Sequence, residues 1–91
     1  MNILKVAVVI LNYNGKNWLE KFLPNVIQYT TYPNAAVIVA DNASTDDSVA
    51  YMQSNFPNVR LVINPINTGY AGGYNDALQQ IKSDYYVLLN S

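Results

Sequence analysis

Val6-Ala7-Val8-Val9-Ile10-Leu11, followed at once by Asn12-Tyr13-Asn14-Gly15, decides the fold. The apolar run is unbroken and rich in β-branched side chains. It leaves no polar face, so the strand it forms is covered on both sides, as strands of a parallel sheet are. The Asn-Tyr-Asn-Gly segment ends it. From Lys16 to about Tyr29 the period changes: Trp18, Leu19, Phe22, Leu23, Val26 and Ile27 recur at helical spacing and leave one wet face. Trp18, Leu19, Phe22 and Leu23 are expected in the core. Pro24 is expected to kink this helix or divide it.

The alternation continues along the chain. Ala36 to Ala40 reads as a second buried strand, with Asp41-Asn42-Ala43-Ser44-Thr45 as the loop at its tip. Ser44 or Thr45 is the expected N-cap of a helix that runs to about Asn55, with Asp46 and Asp47 in its first turn. Val59 to Ile63 is strand three. A turn-rich segment from Asn64 to Gly69 leads to a helix from about Ala71 or Gly72 to Lys82. Asp84 to Ser91 then reads as a fourth buried strand running out to its C-terminal tip. Right-handed crossovers turn this order into a three-layer α/β/α fold with a mostly parallel sheet, a Rossmann-like nucleotide-binding half. The expected strand order is 3-2-1-4, with a switch point between strands one and four. Residues 1–91 form one unit without a linker or repeat. They read as the front part of a larger enzyme domain, cut after the fourth strand.

Composition narrows the chemistry. Hydrophobic residues make up 51% of the 91 and charged residues only 12%, which suits a covered sheet and not a disordered tail. The net charge is −1, with no basic block, so no nucleic-acid partner is expected. There is no Cys for a disulfide or thiolate site and no His for the commonest general base. The run from Val6 to Leu11 is short and lacks a small-residue cleavage site after it, so it reads as a strand and not as a signal peptide.

Three loops follow strands of one direction and therefore share one edge of the sheet: Asn12 to Gly15, Asp41 to Thr45, and Asn64 to Gly73. A ligand in the crevice there meets all of them. Asp41 ends an apolar strand, and its carboxylate accepts but cannot donate. It suits the N3–H of uracil or thymine. It equally suits a ribose hydroxyl in a dinucleotide site, or a capping role in its own loop. Tyr13 can stack on a base or simply pack. Gly15 is expected to supply a backbone conformation other residues adopt at a cost. Asn67-Thr68-Gly69-Tyr70-Ala71-Gly72-Gly73-Tyr74-Asn75 feeds a helix N-terminus with backbone N–H groups suited to a diphosphate. It matches neither a Walker A loop nor a dinucleotide fingerprint. Lys16 and Arg60 are further phosphate candidates. Asp46, Asp47 and Asp84 read as solvated or capping charges.

Together, Val-Ile-Leu-Asn-Tyr-Asn-Gly (9–15), Val-Ala-Asp-Asn-Ala-Ser-Thr-Asp (39–46), Asn-Thr-Gly-Tyr-Ala-Gly-Gly-Tyr-Asn (67–75) and Tyr-Val-Leu-Leu-Asn-Ser (86–91) resemble family 2 glycosyltransferases of the GT-A fold, in the rhamnosyltransferase-like branch. The resemblance implies an inverting enzyme of bacterial polysaccharide biosynthesis. Its donor would be a UDP- or dTDP-sugar and its acceptor a saccharide or lipid-linked. It implies a nucleotide-binding set of Asn12, Tyr13, Asn14, Gly15, Asp41, Asn42, Ser44, Asn67, Gly69, Tyr70, Gly72 and Asn75, with Tyr13 near the base and Asp41 on its N3–H. Many relatives carry Asp-Asp-Gly-Ser where this chain has Asp41-Asn42-Ala43-Ser44. The resemblance also implies Mg²⁺ or Mn²⁺ held by an Asp-x-Asp motif that would follow Ser91, and a later general base. These 91 residues alone are therefore expected to be inactive. The expected location is the cytoplasm, including the inner face of its membrane. Self-association through an exposed last strand is expected too. The competing readings are a dinucleotide-binding oxidoreductase piece, which an acidic residue ending strand two would favour, and a non-catalytic α/β interaction module.

Overall fold

The computed structural model describes residues 4–91; the unit expected over 1–91 takes in residues 1–3, which lie outside the described residues. The element order is β1 (Val6–Asn12), α1 (Lys16–Tyr29), β2 (Ala35–Asn42), α2 (Ser48–Asn55), β3 (Arg60–Asn64), α3 (Gly69–Leu78) and β4 (Tyr85–Asn90). All pairings are parallel and the strand order is β3-β2-β1-β4. Val6 stands opposite Ala35 on one side and Tyr85 on the other, and Leu11 opposite Ala40 and Asn90.

The unbroken apolar run of β1 is explained by two cores. Ala7, Val9 and Leu11 join Ile38, Ala40 and Val62 beneath Ala77 and Ile81, with Tyr74 and Leu78 alongside. On the opposite face Ile10 and Val39 meet Leu19 and Leu23 of α1 and Met52 of α2. Successive side chains of a strand point to opposite faces, so both faces must be apolar. The result is the three-layer arrangement, with α1 and α2 on one side of the sheet and α3 on the other.

Four local expectations are corrected. First, α1 runs through Pro24 undivided. Pro24 and Glu20 both lie on the exposed side of the helix, so the bond that Pro24 cannot make is lost away from the core, while Leu19 and Leu23 fix the buried side. Second, Phe22 is 42% exposed and outside the core; its ring lies 5.5 Å from that of Trp18 and 5.6 Å from the Lys21 ammonium. Third, α2 starts at Ser48, not after Ser44 or Thr45, because Ser44 is drawn to Asp41 and the Ser48 N–H bonds Asp46 Oδ1 at 3.0 Å. Likewise α3 starts at Gly69 and closes at Leu78, after which Gln80 and Ile81 turn back through bonds to Ala77 and Leu78 carbonyls.

The fourth concerns β4. It was expected to be buried, but Tyr85, Tyr86, Val87 and Leu88 are all exposed. Among the described residues β4 is an edge strand, and α3 lies over β1, β2 and β3 instead of over it. Leu89 packs against the core beneath α1 and α2, but the four residues before it stay open.

Candidate functional site

Each strand ends on an asparagine: Asn12, Asn42, Asn64 and Asn90. Parallel direction brings these tips to one edge. Asn12, Asp41, Asn42 and Asn64 are buried there, between 0% and 2% exposed. Buried polar groups on this scale must find partners, and here they find one another.

The first two loops are interlocked. The Asp41 carboxylate accepts from Asn12 Nδ2 (3.1 Å), Ser44 Oγ (2.7 Å) and Ser44 N–H (2.9 Å). The Ser44 hydroxyl also takes the Asn14 N–H at 2.9 Å. Asn14 Oδ1 accepts from the N–H groups of Thr45 (2.7 Å) and Asp46 (3.1 Å), and Asn14 Nδ2 donates to Thr45 Oγ1 (3.1 Å). The Lys16 N–H bonds Asp46 Oδ2 at 3.3 Å. The slight burial of Asp46 pushes its carboxyl up, but its contacts with Ser48, whose N–H it accepts, and with the Lys16 N–H outweigh this and hold the carboxyl below its ordinary value.

Backbone conformation follows from this lock. Asn14 (φ 52°) and Ala43 (φ 61°) adopt the left-handed region, which lets both loops turn back on each other. Gly15 does not; its φ is −104°. Its lack of a side chain serves space instead. A Cβ there would run into Asn12 Oδ1 and stand 2.5 Å from Ser91 Oγ. The expected conformational role of Gly15 passes to Asn14, whose short polar side chain tolerates that region.

The third loop is tied to the sheet by amides. Asn64 Nδ2 donates to Asn42 Oδ1 and to the Gly73 carbonyl, both at 3.1 Å. Asn42 Nδ2 donates to Asn67 Oδ1 (3.0 Å) and to the Gly69 carbonyl (3.3 Å). Asn67 Oδ1 also accepts the Gly69 N–H at 2.8 Å. Gly69, at φ +79°, makes the bend into α3. Where the resembled family often has a second Asp, the two acceptors facing position 42 call for an amide. Among the described residues, Asn12 Oδ1 and Asn64 Oδ1 remain buried with no hydrogen bond from the protein.

Above this floor lies an open cleft of about 210 Å³, lined by Leu11, Tyr13, Asn42, Asn67, Gly69, Tyr70 and Ser91. Small-molecule sites generally span roughly 300–1,000 Å³, so the cleft has room for part of a nucleotide. Tyr13 (48% exposed) and Tyr70 (70%) are the aromatic residues of its lining. The Tyr74 hydroxyl lies 2.6 Å from both the Leu89 carbonyl and Asn90 Oδ1 and ties α3 to the tip of β4. Burial pushes its phenol above the ordinary value, so it remains a donor.

The structure thus divides the expected site. Tyr13, Asn42, Asn67, Gly69 and Tyr70 line the cleft. Asn12, Asn14, Asp41 and Ser44 are scaffold beneath and beside it, with their side chains committed to each other. Asp41, expected on the base N3–H, is 1% exposed and Asn42 2%; both are buried at the floor, and of the two Asn42 belongs to the cleft lining. Gly72 sits under Thr68, whose Oγ1 a Cβ would strike. Asn75 is exposed on α3, outside the cleft lining. Leu11 and Ser91 were not foreseen. Leu11 carries no signal beyond its place at the strand end, and Ser91 is brought in by the bond from its N–H to the Leu11 carbonyl. Of the phosphate candidates, Lys16 pairs with Glu20 at 3.4 Å, and Arg60 donates to the Gln80 carbonyl at the far end of β3.

Among the described residues no three His, Cys, Asp or Glu side chains gather as a metal would require. The residues present do not make a complete site for the expected divalent cation. Nor is any helix among them long and apolar enough to cross a membrane.

The family model for glycosyl transferase family 2 matches residues 7–91. N-acetylglucosaminyl-diphospho-decaprenol L-rhamnosyltransferase of Mycobacterium tuberculosis is 35% identical over 76 residues, 84% of this chain and 24% of the relative. The chain therefore spans about a quarter of that relative's length. Among solved structures, a mannosyltransferase from Pyrobaculum calidifontis in complex with GDP-Man and Mn²⁺ superposes with a TM-score of 0.78 at 26% identity, over 98% of this chain and 28% of that one. Glucosyl-3-phosphoglycerate synthase from Mycobacterium tuberculosis, solved with Mn²⁺, UDP and glucosyl-3-phosphoglycerate, superposes with a TM-score of 0.79 at 20% identity, over 97% and 33%.

Proposed function

This chain belongs to glycosyl transferase family 2, and from that premise we propose that it forms the donor-holding part of an inverting enzyme that moves a sugar from a UDP- or dTDP-linked donor to a saccharide or lipid-linked acceptor in bacterial polysaccharide synthesis. The observation that carries this reading is the cleft at the C-terminal edge of the sheet, with two exposed tyrosines and three residues of the Asn42, Asn67 and Gly69 cluster around it. Tyrosine rings suit a base face, amides suit its polar edge, and the start of α3 offers N–H groups to a diphosphate. The similarity to a rhamnosyltransferase whose name specifies a diphospho-decaprenol substrate supports a lipid-linked acceptor; with such an acceptor goes the proposed place in the cytoplasm, at the inner face of its membrane.

In this reading Tyr13 and Tyr70 bind the base, Asn67 orients it from the loop that Asn42 holds, and Gly69 lets the backbone approach the ribose and diphosphate. Asp41, Ser44, Asn12 and Asn14 act through the loops they hold. Asn75 and Gly72 contribute through the packing of α3. A divalent cation, of the kind the 26%-identical neighbour was solved with, would offset the diphosphate charge; its ligands and the general base are assigned to residues outside this stretch. The 91 residues alone are then inactive, and β4 promotes self-association.

Calorimetric titration with UDP, dTDP, GDP and NAD tests the donor class. Saturable UDP or dTDP binding with weaker GDP and no NAD response is expected. Tight NAD or GDP binding without a pyrimidine response overturns the reading. Glycosyl transfer by the 91-residue chain, stimulated by a divalent metal, would overturn its inactivity.

A further inference from the structure

One wall of the cleft is held by a directed chain of amide hydrogen bonds. Its ends are backbone groups whose direction is not in question: the Gly73 carbonyl can only accept and the Gly69 N–H can only donate. Asn64 must therefore turn its nitrogen to Gly73, and Asn67 its oxygen to Gly69. Between them Asn42 must present its oxygen to Asn64 and its nitrogen to Asn67 and the Gly69 carbonyl. Both Nδ2 protons are used. The side chain is 2% exposed, so water cannot substitute for a lost partner. No glycine or turn residue between Asn64 and Tyr70 makes another side-chain tie from the sheet to this wall among the described residues.

We propose that Asn42 is a positioning residue, a latch that holds Asn67–Tyr70 in place as a cleft wall, and that it must be an amide because its nitrogen faces two acceptors. The nucleotide role of the wall rests on the function proposed above; the latch itself does not. A carboxylate at 42 would keep the bond from Asn64 but set its charge against Asn67 Oδ1 and the Gly69 carbonyl. Only its protonated form could donate to either. The other titratable groups on the elements around it are Asp41 on β2, Tyr13 after β1, and Tyr70, Tyr74 and Asp76 on α3; β3 contributes none at this end, Arg60 lying at the other. No cation among them would rescue the carboxylate.

The sign follows. In Asn42→Asp the folded state favours the neutral acid, so the acid's folded pKa is raised. The stability it retains is present below the ordinary carboxylate range and is lost as pH rises through the folded value. The first test is the native chain by NMR, without nucleotide. The Asn42 side-chain amide protons should exchange about tenfold or more slowly than those of exposed Asn25, as a buried net hydrogen bond implies. The second is thermal melting of Asn42→Asp against pH. Its deficit relative to the native chain should widen from acid to neutral pH and close in acid. Because that variant could fail to fold, Asn67→Ala provides a third reading: it removes one of the two acceptors facing Asn42 Nδ2 and leaves the Gly69 carbonyl, so melting falls by less than in Asn42→Asp at neutral pH, with the Gly69 amide exchanging about tenfold faster. Asn42 protons that exchange like those of Asn25, Asn42→Asp that tracks the native chain at every pH, or unchanged Gly69 protection in Asn67→Ala would each overturn the latch. None of these involves a ligand, so loss of UDP binding with the latch intact would sink the functional reading alone.

Discussion

Gly73 lies flat against the Asn42 amide: a Cβ at residue 73 would stand 2.8 Å from Asn42 Nδ2 and 3.0 Å from its Cγ. The first turns of α3 reach the strand tips only because this position is bare. Gly73→Ala gains helix propensity, but it forces a methyl against a buried side chain whose bonds run in three directions. A net loss of about 1–3 kcal/mol is expected from such overpacking. Urea denaturation should show a lower midpoint with unchanged slope.

Ala43 carries the opposite kind of strain. Its φ of 61° is what turns the Ser44 N–H back onto Asp41. A left-handed alanine costs roughly 1–2 kcal/mol and glycine nearly nothing, although glycine gives back ~0.5–1 kcal/mol through the unfolded chain. Ala43→Gly should therefore stabilise the protein by about 0.5–1 kcal/mol, which calorimetry would record as a melting point higher by a few degrees.

Tyr13 and Tyr70 are exposed at the cleft and make no hydrogen bond there, so their removal should leave folding almost untouched. If each stacks on the base, Tyr13→Ala or Tyr70→Ala should weaken UDP binding by roughly 5- to 150-fold, the equivalent of ~1–3 kcal/mol. Titration calorimetry with melting curves in parallel separates binding from stability. Unchanged affinity in both variants would remove them from the site.

Acid should loosen the loop before α2. The Asp46 carboxyl is depressed in the folded state relative to its ordinary 3.8. Its contribution is therefore complete above that value and disappears as pH falls through the folded pKa. Melting of Asp46→Ala and of the native chain should differ at neutral pH and converge in strong acid.

The bare side chains of β4 offer a parallel edge to a second molecule. Val87, 45% exposed, lies mid-strand opposite Val8. Val87→Lys should shift sedimentation profiles toward monomer at concentrations where the native chain associates. An unassociated native chain at all concentrations would exclude this edge as a contact.

Periodicity and strand direction were enough to read the sheet order and the edge on which the loops meet. That reading needs only the unbroken Val6–Leu11 run and the handedness of crossovers. Two kinds of feature were out of its reach. Whether a polar residue at a strand tip faces the ligand or the floor depends on hydrogen-bond partners distant in sequence. Asp41 accepts three hydrogen bonds from Asn12 and Ser44, and the neighbouring Asn42 is tied to Asn64, Asn67 and Gly69, partners that no local pattern reveals. Helix starts were misplaced for the same reason: Ser44 looked like a cap, but its hydroxyl was already committed to Asp41. Solvent exposure of Phe22 depends on which neighbours are present, and no local pattern encodes that; for β4 the apolar pattern spoke for burial, while its place at the sheet edge spoke for exposure.

Because β1 sits in the middle of the sheet, its two partners join it at very different stages of synthesis. Ala35 to Asn42 follow after one helix, whereas Tyr85 to Asn90 emerge only after three, and the Lys5 N–H meets the Asp84 carboxylate across 79 positions. A nascent chain must therefore carry the opposite flank of β1 unpaired until nearly all of these residues have left the ribosome. High contact order of this kind slows folding. Chaperone engagement, if it occurs, is expected during that interval, and synonymous changes that delay translation between Leu78 and Asn90 should lower soluble yield without altering the finished protein.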